Sequence, residues 1–170
     1  MSIILNKDIE TKLLVYQRDH TRNLIYIIKK NTTALDASDT GTGKTYCAIA
    51  LCKQLNLRPL IICPKSVINS WNGVCKFFNV DPYSIVNYET LKTGKFYNDK
   101  GKRTKCPFLE VLEKKDKDDN IITDFKWEFT NEDKENIIII FDEVHKCSDL
   151  NTLNGKLLYS AKNLETKMLV

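Results

Sequence analysis

Lys44 and Thr45 close a run, Asp36-Ala37-Ser38-Asp39-Thr40-Gly41-Thr42-Gly43-Lys44-Thr45, whose residue types are those that hold a phosphate chain. Gly41 and Gly43 let backbone N–H groups converge on an anion, and a helix starting at Lys44 adds the positive end of its dipole. The lysine can reach the β- and γ-phosphates, and the Thr45 hydroxyl can be offered to Mg²⁺. A short apolar stretch, Ala34-Leu35, precedes the run and a segment of helical spacing follows it, so the order reads as strand, tight turn and helix start. The plainer alternative, a glycine turn before an ordinary helix, has no use for Gly-x-Gly-Lys-Thr in that context. One departure stands out: the usual G-x-x-x-x-G-K-[ST] pattern has glycine where this chain has Ser38.

Later in the chain Ile137-Ile138-Ile139-Ile140-Phe141 ends in Asp142-Glu143-Val144-His145. A carboxylate at the end of a buried strand, Asp142, can hold the same Mg²⁺ as Thr45, and Glu143 beside it can position or polarise an attacking water. Mg²⁺ keeps several waters and takes other ligands from phosphate, so few protein groups are needed. Two acids at a polar strand end are the bland alternative, which the phosphate loop earlier in the chain disfavours because the two motifs are parts of one chemistry. His145 stays open between a relay from the nucleotide site to another segment and a simple turn cap.

The elements that must position these groups follow from apolar spacing. A helix is expected from about Gln17 to residue 30, with Gln17 just before it; its amide either reaches an adenine edge or is merely solvated. Lys44 to Leu55 reads as a helix and Pro59–Cys63 as a buried parallel strand. Ser66 is expected to cap a helix carrying Val67, Ile68, Trp71, Val74, Cys75 and Phe78 on one face. Lys65 and Ser66 would then lie at a strand end, where a lysine and backbone N–H groups can hold a nucleic-acid phosphate; an ordinary turn with an exposed lysine is the alternative. A strand from Ser84 to Tyr88 comes next.

From about residue 92 to 136 the pattern loosens. The mixed charge runs 114–119 and 132–135 read as solvated loop. Phe125, Trp127 and Phe129 alternate with Lys126 and Glu128, which predicts half of a hairpin covering the core edge rather than a base-stacking row. A helix over 151–162, with Leu153, Leu157, Leu158 and Ala161 inward, precedes a strand beginning at Lys167.

At 170 residues the chain suits one domain, and 42% hydrophobic with 28% charged residues is the composition of a globular protein. The formal charge of +4 leans only weakly towards polyanions. No apolar run spans a bilayer and the N-terminus is too short in apolar residues for a signal peptide, so the expected setting is intracellular, without a membrane partner. Six cysteines without a C-x-x-C pair are expected as buried free thiols rather than a metal site or disulfides.

Taken in order, Gln17, Thr40–Thr45, Ile61-Ile62-Cys63-Pro64-Lys65-Ser66 with Trp71, Val86-Asn87-Tyr88-Glu89-Thr90-Leu91 and Asp142-Glu143-Val144-His145 resemble the first RecA-like domain of superfamily 2 helicases, most closely the Snf2-type and large-DNA-virus members. The resemblance implies an α/β P-loop NTPase of three layers with a mainly parallel sheet, incomplete at its C-terminus, with an insertion at about 92–136 between motifs Ib and II. It implies ATP and Mg²⁺ as cofactors, held by Gln17, Thr40, Gly41, Thr42, Gly43, Lys44 and Thr45 with Asp142, and catalysis by Lys44, Asp142 and Glu143. It places Lys65, Ser66, Tyr88 and Thr90 on a nucleic-acid track and gives His145 a coupling role. In that family Ser38's position is often not glycine. The DEVH form of motif II and Cys-Pro-Lys-Ser at motif Ia look more like DNA translocases than DEAD-box RNA helicases, so DNA is the favoured partner. The family continues with a Ser-Ala-Thr motif and a second RecA-like domain that supplies an arginine finger. Without those, this chain is expected to bind ATP weakly and to hydrolyse it very slowly.

Overall fold

A computed structural model describes residues 3–39, 41–98, 100–115 and 117–170. The chain runs through helices α1 (Lys7–Glu10) and α2 (Val15–Asn31), strand β1 (Thr33–Ala34), helix α3 (Lys44–Leu55), strand β2 (Arg58–Cys63), a 3₁₀ turn (Lys65–Val67), helix α4 (Ile68–Phe78), strand β3 (Ser84–Asn87) and the short helix α5 (Tyr88–Leu91). Two antiparallel hairpins follow, β4 (Lys95–Tyr97) with β5 (Arg103–Lys105), and β6 (Leu109–Lys115) with β7 (Ile121–Trp127). Helix α6 (Asn131–Asn136), strand β8 (Ile137–Phe141), a second 3₁₀ turn (Val144–Cys147), helix α7 (Leu153–Lys162) and strand β9 (Lys167–Leu169) complete the order.

Five strands form one parallel sheet in the order β1-β9-β8-β2-β3. Parallel strands need crossovers, and the crossovers here leave helices on both faces, so the strands read as continuous apolar runs. Side chains alternate between faces along each strand. Ile61, Cys63, Ile138 and Ile140 therefore pack into the layer of α1 to α4, while Leu60, Ile62, Ile137, Ile139 and Phe141 pack into the layer of α7 and the β6–β7 hairpin. This is the three-layer, parallel-sheet α/β architecture that the motifs imply.

Several local expectations need correction. Helix α2 begins at Val15, so Gln17 lies inside its first turn rather than before it. Ser66 does not cap α4: the 3₁₀ turn after Pro64 already includes Ser66, and the cap position falls to Val67, which has no side-chain acceptor. The first charge run is strand as well as loop, because Lys114 and Lys115 end β6 and pair with Ile122 and Ile121; Asp116 lies outside the described residues. The second run forms α6, since the Thr130 hydroxyl accepts the Asp133 N–H at 3.0 Å and supplies a cap that the run of charges hides. Leu153 is 39% exposed rather than inward, while Leu157 and Ala161 are buried. Phe125 and Trp127 do cover the core edge, and the Trp127 indole donates to Ser160 Oγ at 2.9 Å.

Two glycines give opposite expectations. Gly155, in the first turn of α7, sits so close to the Asp149 carbonyl that a Cβ would overlap it, whereas Gly73 on the exposed face of α4 has open space around it. Gly155→Ala should lower the unfolding free energy by about 1–3 kcal/mol through overpacking. Gly73→Ala should raise it by about 0.5–1 kcal/mol, since glycine in a helix interior costs that much relative to alanine. Urea denaturation of both variants measures the two signs.

Candidate functional site

The phosphate loop leaves β1 and returns the chain to α3. Gly41 and Gly43 both have φ of +83°, a backbone conformation that side chains rarely adopt, and Gly43 forms the left-handed N-cap of α3. Lys44 is thus the first residue of the helix, and Thr45 follows it, half-buried. Thr40 lies outside the described residues.

Ser38 has a structural reason that the standard glycine pattern lacks. Its N–H and its hydroxyl both donate to Asp36 Oδ1, at 3.1 and 2.5 Å, and it accepts a longer bond from the Thr42 hydroxyl at 3.4 Å. The other Asp36 oxygen meets His20 Nε2 at 3.0 Å, which ties the loop to α2. Burial alone would push the Asp36 carboxyl up, but the hydrogen bonds from His20 and Ser38 outweigh it and hold the group below its ordinary value. Asp36 and His20 were not singled out by sequence reasoning, although Asp followed two residues later by Ser is the pattern of a local side-chain turn.

Gln17 braces the same loop from the other side. Its Oε1 accepts the Leu14 N–H at 3.0 Å and its Nε2 donates to the Thr42 carbonyl at 3.2 Å. The amide lies so close to Gly43 that a side chain there would collide with it. Gln17 is buried, with spare hydrogen-bonding capacity at one N–H and one lone pair.

Asp142 arrives from β8, and its N–H extends the ladder to the Ile62 carbonyl at 2.9 Å. The Trp71 indole donates to Asp142 Oδ2 at 2.8 Å, and the Tyr88 hydroxyl donates to the Asp142 carbonyl at 2.7 Å. Burial drives the Tyr88 phenol far above its ordinary value, so it remains a donor. Glu143 turns sharply, with φ of 53°, and Lys146 Nζ lies 2.7 Å from its carboxylate. The hydrogen bond from Lys146 holds the Glu143 carboxyl below its usual value, so it stays ionised.

Lys44, Asp142, Glu143 and His145 line one cleft of about 290 Å³, with Asp36 and Trp71. The structure therefore brings the two motifs together across the C-terminal ends of the strands, where open α/β sheets carry ligands. It separates the other expected group. Lys65 and Ser66 are exposed, but Tyr88 and Thr90 are 1% and 5% exposed, so neither presents a surface to a nucleic-acid strand. Tyr88 is turned inward to Asp142, and the Thr90 hydroxyl is 3.2 Å from Tyr97 Oη. All six cysteines are buried free thiols; burial raises them, Cys63 to about 12 and Cys75 to about 11. Among the described residues, no helix is long and apolar enough to cross a membrane.

A parallel three-layer α/β domain with a glycine loop after β1 and an Asp-Glu pair closing β8 defines the P-loop nucleotide-binding class. Within it the chain belongs to the ResIII family, described as the res subunit of type III restriction enzymes, whose match covers residues 10–168. It is a helicase family, and the domain matched is the superfamily 2 N-terminal one. The chain is also 46% identical over 162 residues to a protein of Acanthamoeba polyphaga mimivirus named an ATP-dependent RNA helicase. That match takes in 94% of this chain and 29% of the viral protein, so the chain spans less than a third of its relative.

Ser38 yields a prediction with a pH signature. Ser38→Ala removes a hydrogen bond to a charged carboxylate and should cost about 1–2 kcal/mol at pH 7. Asp36 is depressed in the folded state, so its contribution is full above the unfolded value of 3.8 and is lost as pH falls below it. The stability difference between the native chain and Ser38→Ala, measured by urea unfolding, should therefore narrow as pH is lowered towards 3.

Proposed function

We propose that this domain binds ATP with Mg²⁺ between the phosphate loop and Asp142, and that it forms one half of a motor that moves along nucleic acid. The observation that carries this reading is the convergence of an amine, Lys44, with two carboxylates, Asp142 and Glu143, on one cleft. The cleft is at the lower end of the ~300–1,000 Å³ typical of small-molecule sites. It suits the phosphate tail, with the rest of the nucleotide covered by a second RecA-like domain facing it.

In this reading the loop N–H groups and the start of α3 receive the phosphates, and Lys44 offsets their charge. Thr45 and Asp142 would hold Mg²⁺, which when bound neutralises charge on the phosphate oxygens. Trp71 fixes the orientation of the Asp142 carboxylate. Glu143, kept ionised by Lys146, is the group that would orient a water. Gln17 holds Thr42 in place and has the free N–H and lone pair to read an adenine edge. His145, on the rim of the same cleft, is in place to pass nucleotide occupancy to a facing surface.

Nucleic acid is the partner suggested by the helicase family. The mimiviral relative is named for RNA, while the form of motifs Ia and II here resembles DNA translocases, so the substrate is decided by direct comparison. Of the expected track residues, Lys65 and Ser66 remain available at the surface.

Titration with a fluorescent N-methylanthraniloyl ATP tests the nucleotide reading. Lys44→Ala should weaken binding at least about tenfold, the loss of one strong charge-assisted contact, while Glu143→Gln should leave affinity nearly unchanged. Equal affinity in the native chain and Lys44→Ala would contradict the proposal. In a protein carrying the facing domain, ATP turnover measured with single-stranded RNA and with duplex DNA then identifies the substrate.

A further inference from the structure

The β4–β5 hairpin is strongly cationic in sequence, with five cations against one acid, Asp99, which lies outside the described residues. Lys95, Lys100, Lys102, Arg103 and Lys105 all lie in it or its turn, and all are exposed. Register places Lys95 directly opposite Lys105 and Tyr97 opposite Arg103. Residues two apart on a strand share a face, so Lys95, Tyr97, Arg103 and Lys105 form one side of the ladder. Like charges directly opposite each other in an antiparallel pair are destabilising. Some cations elsewhere are paired with acids, such as Arg58 with Asp81, Lys126 with Glu128 and Lys146 with Glu143. Among the described residues, no carboxylate lies within ion-pair distance of these five hairpin cations. Glu128 interacts electrostatically with Lys105 but is itself bonded to Lys126.

The hairpin is also fixed in place. Phe96, on its other face, packs edge-on against Phe108 at 5.7 Å. Tyr97 Oη is 3.2 Å from both Thr90 Oγ1 and Asn87 Nδ2, and Arg103 donates to Thr93 Oγ1 at 2.9 Å. A groove of about 750 Å³ runs between this hairpin and the start of α4, lined by Lys65, Asn69, Tyr97 and Asn98 among others. Among the described residues the acid lining it is Asp81, which is bound to Arg58. Thr90 is buried beneath Tyr97, so the surface at that point belongs to the hairpin.

The geometry points to this groove and the cationic side of β4–β5 as a seat for the sugar-phosphate backbone of a single nucleic-acid strand, continuing the surface that starts at Lys65. A polyanion removes the Lys95–Lys105 repulsion, Lys65 and Asn69 supply donors on the opposite wall, and the Tyr97 ring offers a face on which a base can stack. The inference rests on the nucleic-acid part of the proposed function and adds to it a surface outside the helicase motifs.

Fluorescence anisotropy of fluorescein-labelled 15-mers of rU and dT with the 170-residue chain tests it. Lys95→Ala/Lys105→Ala should raise Kd for the bound oligonucleotide about tenfold near 100 mM salt and flatten the log Kd against log salt slope by about 1.4, since each single-strand phosphate contact contributes about 0.7. The same variant should be no less stable than the native chain, because the two lysines repel each other. A control, Lys29→Ala/Lys30→Ala, removes equal charge from the last turn of α2, beside β1 at the other edge of the sheet. It should change Kd less than twofold. If the native chain binds and the hairpin variant binds equally well, or if the control loses as much affinity, the hairpin proposal is wrong while the proposed function stands. A polyglutamate peptide that displaces the oligonucleotide at equal charge concentration also overturns it, as a non-selective anion surface. If the chain binds the fluorescent ATP but neither oligonucleotide, the nucleic-acid reading fails and this proposal with it.

Discussion

Asp142 is bonded at three points, and the geometry of the site depends on all of them. Its N–H completes the ladder between β8 and β2, its carbonyl accepts from the buried Tyr88, and its carboxylate accepts from the buried Trp71. A carboxylate left to rotate freely at a strand end would be a poor metal ligand, because side-chain entropy must be lost on each binding event. Here the rotamer is set before any ligand arrives. The three partners come from β2, α4 and α5, so the position of one acid reports on the packing of both layers of the domain.

The same arrangement joins the cleft at Lys44 and Asp142 to the surface where Lys65 and Ser66 lie. Trp71 sits one turn into α4, the helix that follows the 3₁₀ turn at Lys65 to Val67. Tyr88 begins α5, whose Thr90 meets Tyr97 of the first hairpin. Movement of α4 or α5 is thus felt at Asp142 through single hydrogen bonds of 2.7–2.8 Å. A nucleic-acid strand bound along those elements would act on the carboxylate proposed to hold the metal by that route, and the coupling would be reciprocal.

Much of this was legible in the sequence where periodicity and turn chemistry agree. The apolar stripe after Lys44 matches the bounds of α3, and the isoleucine run marks β8 as a buried strand. What remained hidden depends on contacts far apart in sequence or on competition between local choices. Nothing in the spacing shows that Trp71, expected on the core face of α4, turns its N–H to Asp142. Tyr88 and Thr90 read as surface groups because their motif does, yet burial against Asp142 and Tyr97 removes them. The charge runs concealed β6 and α6, where backbone pairing and a Thr130 cap decide the structure while the side chains stay in water. Ser38, which looked like a defect in a glycine pattern, is a clip to Asp36.

If Asp142 holds the metal that accompanies the nucleotide, as proposed, ATP binding must depend on that metal through this one carboxylate. ATP affinity measured by calorimetry with and without Mg²⁺, in the native chain and in Asp142→Ala, forms a two-by-two comparison. Mg²⁺ should tighten binding by about tenfold or more in the native chain, as loss of a ligating or supporting group commonly costs, and have little effect in Asp142→Ala. An undiminished gain from Mg²⁺ in Asp142→Ala would contradict this role.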